Sequence, residues 1–164
     1  MPWKQSSAIT EAEKVTTYQT VAGRVDALLE DESDWVAAMA TVVCELHQAF
    51  EYYDWTGFYR TIGEELVIGP YQGTHGCLRI AFGRGVCGTA AAQRATQVVP
   101  DVDAFPGHIA CSSTTRSEIV VPVLNRDGDV MGVLDVDSNR PAAFDTVDQQ
   151  FLERLCTDLG RRYG

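Results

Sequence analysis

The chain has 164 residues, 45% of them hydrophobic, and a formal charge of −10. That length suits one domain with a full core, and the composition is ordinary for a globular protein. The charge argues against nucleic-acid and anionic membrane partners, which are bound through Lys and Arg; solubility is the plainer account of the acidity.

The opening stretch MPWKQSSAIT lacks the apolar core of a signal peptide. The longest apolar stretch, Val36 to Val43, is too short to span a bilayer. The expectation is a cytoplasmic protein without a membrane anchor. Five cysteines, an odd number, argue against a structural disulfide framework. In a reducing compartment such cysteines are core filler, metal ligands or redox catalysts.

Residues 11–30 place Val15, Tyr18, Val21, Val25, Leu28 and Leu29 near helical period, which predicts an amphipathic helix. Residues 32–50 predict a second, with Ser33 as its N-cap, Cys44 as core packing and His47 on the surface. From Tyr52 the pattern turns aromatic and β-rich. The segments YYDWTGFYRTI and EELVIGPYQG read as a hairpin across Gly63. A glycine-punctuated segment follows, with a short Ala-rich helix opening at Gly85 and a brief strand at Gln97–Val99. EIVVPVLNRDGDVMGVLDVDS predicts a second hairpin, its turn at Asn125–Gly128. The last segment predicts an amphipathic helix capped by Asp145 or Thr146, with Phe151, Leu152, Leu155 and Leu159 inward and Cys156 beside them. Strands joined by short turns are antiparallel. The expected architecture is α+β: one domain over 1–164, an antiparallel sheet with helices on one face, and the loop-rich middle covering a ligand pocket on the other.

That middle holds Cys77, Cys87 and Cys111, spaced Cys-x9-Cys and Cys-x23-Cys. No CxxC is present, so neither a thioredoxin-type motif nor a zinc ribbon is signalled. A zinc site of these cysteines with His75 or His108 is stereochemically possible but lacks the paired spacing usual for structural zinc. Hydrogen bonding is the plainer role for both histidines. Cys87 lies at the start of a helix, where the dipole favours a thiolate, so local physics nominates it as the more reactive sulfur. Cys111 sits among hydroxyl residues, with Arg116 five residues on as a candidate support for a thiolate and Glu118 opening the next strand. Strand alternation puts Asp135 and Asp137 on one face and Trp55 and Tyr59 on one face. Two carboxylates side by side call for a cation between them, and a substrate ammonium would serve. A solvated strand end and an aromatic core are the bland readings of these two pairs.

The stretches GPYQG, GRGVCGTAA, VVPDVDAFPGHIAC, SEIVVPV and GVLDVDS resemble the free methionine-(R)-sulfoxide reductases, a family of GAF domains, from about Tyr18 to the final helix. The resemblance implies a GAF fold, a homodimer, no cofactor, and reduction of free methionine-(R)-sulfoxide with a thioredoxin-type reductant. It implies Cys111 as nucleophile, Cys77 as the resolving cysteine that forms a disulfide with it, and Cys87 as a third cysteine of less settled role. Glu118 would contact the sulfoxide oxygen, Asp135 and Asp137 would hold the substrate ammonium, and Trp55 and Tyr59 would wall the methyl group. One departure is Ser112, where many members carry Asp; loss of a negative neighbour favours the thiolate. The rival reading is a GAF module that senses a small molecule or redox state without catalysis.

Overall fold

Capping residues and apolar periodicity set the helices of the computed structural model, which describes residues 8–164. Residues 1–7, which make up most of the N-terminal stretch expected to lack a signal peptide, lie outside the described residues. Helix α1 spans Glu11–Leu28 and opens on a reciprocal capping box between Thr10 and Glu13. Helix α2 spans Trp35–Ala49, and its N-cap is Asp34 rather than the expected Ser33. The Asp34 carboxylate accepts from the Ala37 N–H at 2.8 Å, while Glu32 fixes the Asp34 N–H at 2.8 Å. Helix α3 spans Gly85–Gln93, and α4 spans Thr146–Tyr163 with Asp145 as its cap.

Six strands form one antiparallel sheet: β1 Trp55–Ile62, β2 Glu65–Gln72, β3 Arg79–Ala81, β4 Gln97–Val99, β5 Ser117–Leu124 and β6 Val130–Ser138, in the order β3-β2-β1-β6-β5-β4. The two predicted hairpins are β1–β2 and β5–β6. In the second, the Asn125 side chain accepts from the Asp127 and Asp129 N–H groups, both at 2.9 Å, and Gly128 takes φ +83°. Strand β3 was not anticipated, because three residues with Ile80 alone buried carry no periodic signal.

Period-two alternation divides the sheet residues between two cores. Phe58, Ile119, Val121, Leu134 and Val136 face α1, α2 and α4. Trp55, Tyr59, Leu66, Val120 and Val133 face the other way, against Val86, Ala90 and Ala91 of α3. The helices therefore do not all share one face, as the sequence had suggested; α3 lies with the loops on the pocket side. Its small residues permit this. A Cβ at Gly88 would meet the Ala81 carbonyl at 2.4 Å.

Two smaller expectations also change. Cys44 is half-buried and accepts from Gln48 at 3.3 Å rather than filling the core. His47 is not on the surface: its Nδ1 lies 3.0 Å from the Thr56 hydroxyl, linking α2 to β1, and burial pulls its pKa down. Cys156 does fill the core, where burial pushes its thiol up. Beneath α1, Lys14, Tyr18, Tyr52, Tyr53 and Asp148 form a buried polar cluster that fastens α1 to α4 and the entrance of β1.

Candidate active site

Two neighbouring strands, β5 and β6, deliver one carboxyl cluster, and β1 beside them delivers an aromatic wall. Alternation along β6 sends Leu134 and Val136 into the helical core and leaves Asp135 and Asp137 on the pocket face. Glu118 on β5 pairs directly with Asp137, and Trp55 on β1 pairs with Asp137 from the other side. Gly57 stands opposite Asp135. A Cβ there would meet the Trp55 ring at 2.5 Å, so this glycine leaves space for the indole. The indole stacks between Tyr59 and Tyr71, at centroid distances of 6.0 and 5.4 Å, and donates to the Thr74 carbonyl at 2.7 Å. The aromatic pair is thus both core and pocket wall.

Loops close the pocket. Cys77, between β2 and β3, and Cys111, before β5, form a disulfide with a Cα–Cα distance of 5.6 Å. Cys111 and Glu118 line one cavity, so the loop before β5 folds back beside the strand it enters. Ile109 packs on Gly85 at the start of α3, where φ is +57° and a Cβ would lie 3.1 Å from the isoleucine. The enclosed space is about 40 Å³, enough for only a few waters.

Cys87 departs from the local expectation. It does open α3, but it is buried, with Sγ 3.9 Å from the Glu118 carboxyl. Burial first, then the charges of Asp135 and Glu118, push its thiol well above the ordinary value, outweighing the helix terminus. Arg116 is exposed and outside the cavity, its backbone spent on Ser138 and Val102. The basic side chains lining the cavity are Arg84, His75 and His108 instead. His108 Nε2 lies 3.9 Å from Glu118. Nothing in the sequence around His75 or His108 marks either as more than a hydrogen-bonding loop residue, apart from the place of His108 three residues before Cys111.

The zinc set weighed from the sequence needs Cys77 and Cys111 as thiolates, but each is the other's partner in the disulfide. The donors that do converge are Cys87, Glu118 and Asp135, whose ligand atoms lie within 4.8 Å of one another.

Three carboxyls at close range in a buried site cannot all ionise. Burial and the charges of Asp135 and Asp137 hold Glu118 well above the usual carboxyl range. Burial and Asp135 do the same to Asp137. Asp135 is raised by burial but relieved by hydrogen bonds from Glu118 and Cys87, so it is the member best placed to carry the charge. Asp135 Oδ1 and Asp137 Oδ1 are both buried without a hydrogen-bond partner. Two orphaned acceptors in one cavity leave hydrogen-bonding capacity that only a donor from outside the chain, water or ligand, can satisfy.

This arrangement has a stability consequence. Asp137 ionises in the unfolded chain at about pH 4 but keeps its proton in the fold to higher pH. Between those values the unfolded state binds fewer protons, so the group's contribution to stability is full below about pH 4 and is lost as pH rises. Asp137→Asn removes that loss. The variant is expected to be more stable than the parent at pH 8, by about 1 kcal/mol, or about 2–4 °C in Tm, with the gap closing near pH 4. Thermal unfolding across pH measures this; an equal gap at both ends would refute the assignment.

The GAF domain family matches residues 34–162 of this chain. That match, with the six-stranded antiparallel order and a pocket roofed by loops, defines a GAF domain. The free methionine-R-sulfoxide reductase of Saccharomyces cerevisiae is 43% identical over 137 residues, covering 79% of this chain and 76% of that protein. Its Escherichia coli counterpart is 38% identical over 146 residues, covering 89% and 88%. The structure of free methionine-R-sulfoxide reductase from Neisseria meningitidis with its substrate is 46% identical, with a TM-score of 0.88, covering 94% and 93%. The chain belongs to the free methionine-R-sulfoxide reductase family of GAF-domain proteins.

Proposed function

We propose that this protein reduces free methionine-(R)-sulfoxide to methionine. The observation that carries the reading is the Cys77–Cys111 disulfide at a cavity floored by Glu118, Asp135 and Asp137. A reactive cysteine pair over a carboxyl cluster is what sulfoxide reduction needs.

In the reduced enzyme the Cys111 thiolate attacks the sulfoxide sulfur. Glu118, protonated because it is buried among acids, gives its proton to the oxygen. The oxygen passes to Cys111, leaving methionine and a sulfenic acid. The Cys77 thiol then attacks the Cys111 sulfur, forming the disulfide and releasing water. A thioredoxin-type dithiol reduces that disulfide and is itself oxidised. Asp135 and Asp137 hold the substrate ammonium through their unpartnered oxygens, and Trp55 and Tyr59 enclose the methyl group. The cavity of about 40 Å³ is far below the few hundred Å³ of ordinary ligand sites. Reduction of the disulfide therefore precedes binding, because it frees the Cys111 loop to admit substrate. The family resemblance extends the reading to a homodimer working in the cytoplasm, and no helix among the described residues could cross a membrane.

Turnover of the R epimer with a dithiol reductant is the test. The S epimer and N-acetylated methionine sulfoxide are expected to react at least about 100-fold more slowly. Acetylation removes the ammonium charge and would leave the Asp135 and Asp137 acceptors buried without a partner, a loss of about 3 kcal/mol. Equal rates for free and acetylated substrate would overturn the ammonium assignment. A non-catalytic redox sensor would lose a pair of thiols on oxidation without releasing methionine.

A further inference from the structure

Cys87 is the one pocket cysteine that the disulfide leaves free. It lies in the first turn of α3, is buried, and is held against two carboxyls from different strands. We propose that Cys87, Glu118 and Asp135 form an inhibitory binding site for a thiophilic divalent cation of the zinc class, which competes with substrate for the same cavity.

Geometry comes first. Zinc takes thiolate sulfur at about 2.3 Å and carboxylate oxygen at about 2.0 Å in a tetrahedral shell. Those bonds put sulfur and oxygen ligands about 3.5 Å apart. Cys87 Sγ is 3.9 Å from Glu118 Oε1, and all three ligand atoms lie within 4.8 Å of one another. The Cys87–Glu118 pair closes by about 0.4 Å, and the remaining pairs by no more than about 1.5 Å at the ends of side chains, to complete three corners. The fourth is open to the cavity, whose 40 Å³ admits an ion with a water. Asp135 supplies the independent sign of a missing partner: the residue is 5% exposed, and its Oδ1 is buried with nothing to accept from.

The donor set also selects the ion. One sulfur and two carboxylates in a small cavity suit zinc or cadmium. Magnesium and calcium require six or more oxygens or retained waters, for which there is neither ligand nor room. Proton balance holds: the Cys87 thiol proton and the proton shared by Glu118 and Asp135 leave for solvent as the metal–sulfur and metal–oxygen bonds form, and nothing is oxidised or reduced. Coordination stands on these side chains alone. That it inhibits rests on the proposed roles of Asp135 with the ammonium and Glu118 with the sulfoxide oxygen, since an ion there removes both.

The test uses the full chain carrying Cys77→Ser and Cys111→Ser, so that no disulfide locks the loop and Cys87 is the only pocket thiol. Titration with cadmium chloride is expected to raise a sulfur-to-cadmium charge-transfer band that saturates at one equivalent. The band should disappear with the further change Cys87→Ala and weaken at least tenfold in affinity with Asp135→Asn. A hundredfold excess of magnesium should leave it unchanged. In the wild-type enzyme, zinc should raise the KM for methionine sulfoxide in proportion to its concentration with kcat unchanged. Absence of the band, or a band that survives Cys87→Ala, overturns the site. A band of the expected kind with no effect of zinc on KM overturns the inhibition. If wild-type enzyme without metal fails to release methionine, the reductase reading fails instead, and the titration still decides the site.

Discussion

Cys111→Ser is expected to lower kcat for free methionine-(R)-sulfoxide by at least about 10³-fold, the scale of losing a catalytic nucleophile. A hydroxyl at this position cannot accept the sulfoxide oxygen, and no other sulfur can substitute. Cys87 shares the cavity, but its thiol is held protonated by burial and two acids. Cys77 lies on the partner loop, where it meets Cys111. Cys77→Ser separates the two roles. It should release about one methionine per enzyme in the first turnover and then stall as the sulfenic acid, which a dimedone-type trap would label at Cys111. Glu118→Gln is expected to lose about 10²–10⁴ in kcat at unchanged fold stability or better, because it removes a buried acid. Stopped-flow methionine release and thiol counting measure all three. Wild-type rates in Cys111→Ser would sink the mechanism, and full multiple turnover in Cys77→Ser would remove Cys77 from it.

Much of the fold was legible because its signals are periodic. The 3.6-residue spacing of Tyr18, Val21 and Val25 and the two-residue spacing of Asp135 and Asp137 each report which side of an element meets the core. The turn at Asn125–Gly128 was legible through Asp127-Gly128. Strand β3 and the placement of α3 were not. Three residues hold no period, and an Ala- and Gly-rich helix has no strong apolar stripe to show which face of the sheet it will cover. Ser33 and Asp34 are both good caps, and only the path of the chain chooses between them.

The site divided along the same line. Which face a strand residue takes can be read locally, so Asp135 could be paired with Asp137 and Trp55 with Tyr59, while the joining of Glu118 to them rested on resemblance. What converges across loops cannot. A helix terminus does favour a thiolate at Cys87. Glu118 and Asp135, delivered from strands 31 and 48 residues further on, reverse the sign together with burial. Arg116 failed for the opposite reason: closeness in sequence did not become closeness in space. The pairing of Cys77 with Cys111 rested on resemblance alone until the two loops were seen to meet.

The other large effect lies outside the pocket, at Asp148. This carboxylate is fully buried and accepts from Tyr18 at 2.6 Å, Tyr52 at 2.6 Å, Lys14 at 2.7 Å and the Asp145 N–H at 2.8 Å. Lys14, 4% exposed, would keep Asp145 at 3.2 Å, the Ala143 carbonyl at 3.4 Å and the face of the Tyr52 ring at 4.8 Å, but lose its shortest partner, if Asp148 were removed. Asp148→Ala is therefore expected to cost about 3–5 kcal/mol, the scale for stranding a buried charge, and to lower Tm by about 10 °C or more. Asp148→Asn keeps acceptors for the tyrosines and should cost less. Lys14→Met in the Asp148→Ala background should recover part of the loss, because the stranded ammonium, more than the missing bonds, carries the penalty. The cluster sits on the helical face, away from the cavity, so the folded fraction of each variant should turn over methionine sulfoxide at the parent rate. Chemical denaturation of the parent, Asp148→Ala, Lys14→Met and the double variant closes a double-mutant cycle on Lys14 and Asp148. A coupling below about 0.5 kcal/mol would mean that α1 is held by its apolar stripe alone.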